Sequence, residues 1–460
     1  MAALVQENNQ HFIKVIDSPT GTGKTTWAIN YINQLPADTK VIYITPFLTE
    51  VQRIIDDCPT RHFVQPDRKY GGGRKMAHLL KLIRSDRNIV STHSLFSQIT
   101  DELITALRAS DYILVLDEVF SVVEKFDMWE DFPYMTDEEK DGLTATNVNT
   151  LFKKEFIAVD QDYLVKWIDK ESALDKYRDV KQLVDRGLLY LVKGSLLVWT
   201  FPVEVFQQGI FEEIYILTYQ FDYQLQSYYY KYFNIVYNLF HIESKAGSPY
   251  VVATTNSDYE QEWISKVKPL ITIVDNPKLN KIGDVIKTNR GDIKSALCKR
   301  WYINNPGEIN RIQKNMVNFF MNYSKSSSAK RMWTCFVSHK KELRASNLSF
   351  KTWVAMNSRA TNNYGHKTCL AYPVNRYINP FFIAFFEKKG IPLDQEGFAL
   401  SEMIQWIWRS AVRNGKKISI YIPSERMRTM LVDFLDGGFS LRHFSQELTL
   451  EGSCGYDDEL

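Results

Sequence analysis

At 460 residues the chain exceeds the usual size of one domain, so two or three are expected. An apolar share of 45% is ordinary for a soluble globular protein and leaves enough material for sizeable cores. The formal charge of +2 is close to neutral, so the whole chain carries no polycationic signature and any basic binding surface must be local. Five cysteines (Cys58, Cys298, Cys335, Cys369, Cys454) are scattered without a paired spacing, which predicts reduced thiols and a cytoplasmic location. The opening "MAALVQENNQ" has neither the basic flank nor the apolar stretch of a signal peptide. No segment approaches the roughly 20 apolar residues of a membrane helix, so no membrane association is expected.

In chain order, "HFIKVID" reads as a buried strand and "GKTTWAINYINQL" as a helix behind a glycine turn. "KVIYITP" is a second strand, "LTEVQRIIDDC" a helix, "NIVSTHS" a third strand and "DYILVLDEV" a fourth. β-Branched apolar runs alternating with helices predict a parallel α/β sheet. From 126 to 194 the pattern loosens into an acidic, turn-rich stretch and amphipathic helix, read as an insertion in the first domain. "GSLLVWTF" and "EEIYILTY" are expected to restore the sheet, and "QLQSYYYKYFNIVYNLF" to form a connecting helix. A second alternation follows in "YVVATT", "LITIVD", "RMWTCFVS", "KTWVAM", "TCLAYP" and "KISIYIP". The expected architecture is two α/β lobes, residues 1–222 and 223–460, with a helical insertion in the first.

"SPTGTGKTT", Ser18 to Thr26, stands between the first strand and its helix. A phosphate-binding loop needs inward backbone N–H groups, a helix N-terminus behind them, a lysine for the β- and γ-phosphates and a hydroxyl for Mg²⁺. Gly21 and Gly23 supply the tight backbone, Lys24 the charge and Thr25 the hydroxyl. Pro19, Thr20, Thr22 and Thr26 complete the cradle. The strict motif has glycine at its first position, where this chain has Ser18. "ILVLDEVF" then ends an apolar strand in Asp117 and Glu118. In that setting Asp117 is expected to hold the metal and Glu118 to orient or deprotonate the attacking water. ATP with Mg²⁺ is the implied cofactor.

With these residues in place the chain resembles a superfamily 2 helicase of the DEAD/DEAH-like class, and its compactness resembles viral or phage-encoded members. "SPTGTGKT" is similar to that class's phosphate loop, and "DEVF" stands at its DExx box. "YITPFLTEVQR" resembles motif Ia and "VSTHSLF" motif Ib, implying backbone contacts from Thr45, Pro46, Arg53, Thr92 and His93. "YILTYQF" resembles motif III, with Thr218 as its coupling hydroxyl, and "WTFP" (Trp199–Pro202) is a rival for that station. "WTCFVSHKKEL" fits motif IV, implying Ser338 and His339, while "AMNSRATNNYGHKTCLAY" sits at motif V, implying Arg359 and Asn362. "QWIWRSAVR" resembles motif VI, with Gln405, Arg409 and Arg413 as the catalytic element. Trp408 stands where the family has glycine, and Arg413 follows Arg409 by four residues rather than three. Which arginine reaches the γ-phosphate is therefore open, since i, i+4 spacing would put both on one helical face. Gln6 and Gln10 are faint candidates for an adenine-reading element, so base specificity is open too.

The resemblance implies two RecA-like lobes with ATP in the cleft between them, an arginine delivered across it, and motion on a nucleic-acid strand. DNA, single-stranded or branched, is preferred over RNA, with roles in replication, repair or recombination and a monomeric state. "DRKYGGGRK" (Asp67–Lys75) adds four cations, with Arg74 and Lys75 as phosphate contacts; a solvated turn is its plainer reading. The 126–194 region is the candidate surface for a protein partner. Competing functions are a P-loop small-molecule kinase, an ATPase stimulated by nucleic acid without unwinding it, and a non-catalytic ATP-binding module.

Overall fold

In the computed structural model the described residues are 11–127, 137–168, 175–245, 247–253, 258–280, 282, 286–288, 291–293, 296–345, 347–356 and 363–438. Gln6, Gln10, Arg359, Asn362 and Cys454 lie outside them. The chain divides into two compact units, one of residues 1–253 plus 378–398 and one of 254–377 plus 399–460. The division thus falls later than residue 222, and a stretch of the second half belongs to the first unit.

The first unit begins with β1 (Ile13–Asp17), α1 (Lys24–Gln34), β2 (Lys40–Thr45), α2 (Leu48–Asp57), α3 (Lys75–Arg84), β3 (Ile89–Thr92), α4 (His93–Phe96), α5 (Asp101–Arg108) and β4 (Tyr112–Asp117). After β5 (Val123–Phe126) come α6 (Asp137–Lys153), β6 (Ile157–Val159), β7 (Val165–Trp167), α7 (Arg178–Asp185), β8 (Leu189–Val192) and β9 (Leu196–Thr200). Then follow β10 (Glu213–Thr218), α8 (Leu225–Tyr232), β11 (Asn238–Lys245) and β12 (Ser248–Ala253). The main sheet has the order β12-β11-β1-β10-β4-β2-β3, parallel throughout except for β12. Alternate residues of its strands feed two separate cores. Ile13, Val15, Ile42, Ile44, Leu114, Leu116, Ile214 and Ile216 enter one, and Ile16, Val41, Tyr43, Ile113, Val115, Tyr215 and Leu217 the other. A parallel sheet must be covered on both faces, which is why these strands read as continuous apolar runs.

The insertion differs from the helical one expected. It carries its own three-stranded antiparallel sheet, β5-β9-β8, and the β6–β7 hairpin besides its two helices. "GSLLVWTF" accordingly forms β9 of this small sheet and does not rejoin the main one. Of "YVVATT", the residues up to Ala253 belong to the antiparallel edge strand β12 of the first unit rather than to the second, and the rest lie outside the described residues.

The second unit contains α9 (Asp258–Val267), β13 (Ile271–Ile273), α10 (Pro277–Asn280), β14 (Ile286–Thr288), β15 (Gly291–Ile293), α11 (Lys299–Asn304), α12 (Pro306–Asn318), β16 (Arg331–Trp333) and β17 (Cys369–Ala371). The chain then returns to the first unit with α13 (Pro380–Glu387) and enters α14 (Gln395–Ile407), followed by β18 (Ile418–Tyr421) and α15 (Glu425–Leu435). Its sheet, β13-β18-β17-β16, is wholly parallel. "KTWVAM" contributes only the isolated bridge Trp333↔Trp353. In α13 the run "PFFIAFFE" puts Phe381, Phe385 and Phe386 into the first unit's core, where Phe385 stacks on Tyr232 at 4.7 Å and meets Tyr190 edge-on at 5.5 Å. The α/β fold in two parallel-sheet units is the one the alternation predicts. Among the described residues no helix is long and apolar enough to cross a membrane.

Candidate active site

The glycine loop closes over the carboxyl end of β1. Gly21 and Gly23 have φ of 93° and 97°, a region in which a side chain is strained, and a Cβ on Gly23 would meet Pro249 of β12 at 3.4 Å. Gly23 is also the N-cap of α1, and no side chain caps that end, so the first N–H groups of the helix are left for an anion. The Lys24 ammonium lies back across the loop, donating to the carbonyls of Ser18 at 2.5 Å and Pro19 at 3.2 Å. Thr22 donates its hydroxyl to Pro19 O at 2.9 Å. Thr25 is half-buried, Thr20 likewise, and Thr26 exposed.

Ser18, the departure from the strict motif, has a structural explanation. It is fully buried, and its hydroxyl accepts the Ile242 N–H of β11 at 2.6 Å, tying the loop to the neighbouring strand. Removing that oxygen by Ser18→Ala leaves a buried N–H without its partner. We expect a stability loss of about 1–3 kcal/mol in chemical denaturation with ATP affinity little changed, since the loop backbone does not depend on the hydroxyl.

β4 ends in Asp117, and β10 lies between β4 and β1. The last two carbonyls of β10 therefore reach both halves of the site. Leu217 O accepts Glu118 N at 2.9 Å and Thr218 O accepts Ser18 N at 3.0 Å. Thr218 is buried and its hydroxyl accepts from Gln224 at 3.0 Å. Asp17 extends the linkage, accepting the backbone N–H of Gln220 at 2.7 Å and of Phe221 at 2.8 Å. The rival "WTFP" station is on the separate antiparallel sheet and has no such position.

Asp117 is 5% exposed, and burial, together with the charges of Glu118 and Glu50, pushes its carboxyl up to about 7 against the opposing pull of Lys24. Glu118 has φ 71°, an uncommon conformation for a residue with a side chain. Its Oε2 is buried without a hydrogen-bond partner among the described residues. A buried Asp117 and a half-buried Glu118 beside a lysine, a half-buried threonine and an uncapped helix end form a donor set that fits a magnesium–triphosphate. Thr25 and Asp117 would hold the ion, Lys24 and the loop N–H groups the phosphates.

The expected nucleic-acid contacts are placed unevenly. Thr92 and His93 follow β3 at the same carboxyl edge, partly exposed, as is Pro46 after β2. Thr45 is fully buried, so its side chain offers nothing to a strand. Arg53 is held on its own helix by Glu50 at 3.2 Å and Asp57 at 3.4 Å. In the second unit Ser338 is exposed, but His339 is turned inward, stacked on Tyr302 at 5.1 Å and bonded to Glu342 at 2.9 Å. Thr45 and His339 are therefore packing residues, contrary to their expected role.

The motif VI segment also departs from expectation. α14 stops at Ile407, and Arg413 lies on a separate 3₁₀ turn, Ala411–Asn414, so Arg409 and Arg413 do not share a helical face. Gln405 and Arg409 are each 6% exposed and Arg413 is half-buried. Trp408, which stands where the helicase pattern has glycine, is an interior residue: its ring is 1% exposed and packs on Trp263 of α9 at 4.6 Å. Residues missed in the sequence, Asp17, Gln224 and Glu50, carry no motif. Asp17 acts because β1 and β10 are neighbours, Gln224 through the turn that follows β10, and Glu50 from α2 through its charge on Asp117.

Residues 265–435 match the YonV C-terminal Rossmann-like domain, and residues 139–199 match the YonV middle domain, which coincides with the insertion. Across 432 residues the chain is 35% identical to the SPbeta prophage-derived protein YonV of Bacillus subtilis (strain 168), spanning 92% of this chain and 98% of that protein. Among solved structures it is similar to an apo XPD at 11% identity, with a TM-score of 0.44 and coverage of 93% of this chain and 95% of that one. The helicase MrfA, bound to DNA and AMPPNP, is similar at 11% identity and a TM-score of 0.31 over 94% of this chain and 48% of that one. With most of both chains aligned to YonV and two domains matched, this protein belongs to the YonV family.

Proposed function

We propose that the protein is an ATP-dependent helicase or translocase acting on DNA, with RNA the lesser substrate. The observation that carries this reading is the joint assembly of Ser18–Thr26 and Asp117–Glu118 on one sheet edge through consecutive carbonyls of β10. Loop and carboxylates cannot shift independently, so phosphate binding and water activation are set by one rigid element. Magnesium, when bound with the triphosphate, neutralises charge on the phosphoryl oxygens. Lys24 and the first N–H groups of α1 hold the phosphates. Glu118, facing that site from the end of β4, accepts the proton of the attacking water. An arginine of the second unit, Arg409 or Arg413, supports the developing charge with Gln405, so that turnover follows closure of the two lobes. Thr218, whose carbonyl holds the loop, relays the change to the strand-binding edge.

ATP turnover with and without single-stranded DNA, duplex, forked DNA and RNA tests the reading. Stimulation by nucleic acid is expected. Turnover indifferent to every strand identifies a small-molecule kinase or phosphotransferase, and ATP binding without turnover a binding module. Stimulation without strand separation on a forked duplex identifies an ATPase that does not unwind. In the same assay, one of Arg409→Ala and Arg413→Ala is expected to lower turnover while ATP binding is kept. If neither does, no arginine of this segment takes part in hydrolysis.

A further inference from the structure

The segment Asp67–Lys75 is a built turn, not a slack one. Arg68–Tyr70 form a 3₁₀ turn whose N-cap, Asp67, accepts from Lys69 N, and Arg68 O accepts from both Gly71 N at 3.2 Å and Gly73 N at 3.0 Å. A Cβ on Gly71 would sit 2.0 Å from the Arg74 carbonyl oxygen, and Gly72 and Gly73 have φ of 60° and 89°, so the three glycines are there for shape. His78, buried under the turn, accepts Asp67 N–H at 2.9 Å, and Lys81 donates to Tyr70 O at 3.2 Å.

What the turn displays is a cationic surface with an aromatic at its centre. Tyr70 is 59% exposed even though its ring meets that of His78 at 5.3 Å and Lys69 lies over it at 5.5 Å, so the contacts that orient the ring leave more than half of it open. Arg68, Lys69, Arg74 and Lys75 flank it in the chain and make no ion pair among the described residues, and the segment's one carboxylate, Asp67, is engaged as a cap. Topology sets the location. Val64 bridges Ile89 in parallel, so the chain after Val64 runs with β3 toward the carboxyl end of the sheet, and α3 then returns to the amino end. The turn packs on α3 through His78 and Lys81 and leads into its amino end, the end of the helix on the carboxyl side of the sheet, the side on which parallel sheets bind ligands.

We propose that this turn is a preformed clamp for single-stranded nucleic acid, in which Tyr70 stacks on an unpaired base and the four cations hold the adjoining phosphates. The inference rests on the nucleic-acid reading above and goes beyond it in naming a base-stacking residue and a preference for unpaired strands. A base inside a duplex has no free face for Tyr70, whereas every unpaired base has one. The phosphate contacts do not make that distinction, so the ring and the cations have separable signatures.

Equilibrium binding without nucleotide, using fluorescent 20-nucleotide oligothymidylate, oligouridylate and a blunt 20-bp DNA duplex, separates them. On whichever single strand the wild type binds more tightly, Tyr70→Ala is expected to weaken binding about tenfold or more, Tyr70→Phe to keep it, and duplex binding to stay within about twofold. Replacing Arg68, Lys69, Arg74 and Lys75 by glutamine is expected to weaken both forms and to flatten the salt dependence by about two to three counterions on the single strand. Tyr70→Ala binding single strands like wild type, or losing strand and duplex equally, overturns the stacking role while leaving the nucleic-acid reading intact. A folded, ATP-binding wild type that holds none of the three probes overturns both.

Discussion

Glu118→Gln is expected to lower ATP turnover by about 10²- to 10⁴-fold while leaving ATP affinity near that of the wild type. The amide has the shape of the carboxylate but cannot take a proton from water. The backbone position is set elsewhere, by the Glu118 N–H bond to Leu217 O at 2.9 Å and by the strand behind it, so the substituted side chain stays where the carboxylate was. Lys24 and the loop that holds the phosphates are untouched. Single-turnover hydrolysis beside equilibrium binding of a fluorescent ATP analogue reads the two effects apart. Turnover within a few-fold of wild type would show that another group activates the water, and loss of binding would show that Glu118 acts on the loop instead.

Trp408→Ala tests the other departure from the helicase pattern. A fully buried indole packed on Trp263 leaves a large void when truncated, and the chain there has little freedom to fill it because Trp406, two residues earlier, is pinned by Nε1 to Val354 O at 3.2 Å. The expected loss is about 3–5 kcal/mol, seen as an early transition in chemical denaturation followed through tryptophan emission. Trp408→Phe, which keeps most of the apolar volume, is expected to recover more than half of it. A loss below about 1 kcal/mol for the alanine variant would mean that the Trp408–Trp263 contact contributes little and that the position could have been glycine. Either way the variant tests packing, not phosphate chemistry.

What could be read in the chain was local. The phosphate loop is legible because each residue answers a backbone demand within nine positions: Gly21 and Gly23 for positive φ, Lys24 for charge, Thr25 for a hydroxyl at a helix start. The end of β4 is legible for the same reason, an apolar run stopping at two carboxylates. Less visible is everything that depends on which strands become neighbours. Nothing in "EEIYILTY" says that β10 slots between β1 and β4, yet that placement gives Thr218 and Asp17 their contacts. Ser18 looks like a tolerated small residue until β11 supplies the N–H it binds. Thr45, Arg53 and His339 match nucleic-acid stations by position in the chain, but a motif does not record whether a side chain is buried or already paired. The insertion misled for a related reason. The stretch that forms α7 is strongly amphipathic, while the strands are only three to five residues long and too short to show an alternation.

The excursion of residues 378–398 has a practical corollary. The first unit is not a contiguous piece of chain, so a fragment ending at residue 253 would lack the Phe381, Phe385 and Phe386 side chains and leave Tyr190 and Tyr232 facing solvent. Such a fragment is a poor surrogate for the isolated ATPase half and a ready nucleus for aggregation. A nick in the 253–258 connection would leave residues 378–398 continuous with the second unit on both sides, so that only their packing in the first unit's core would still tie the two pieces together.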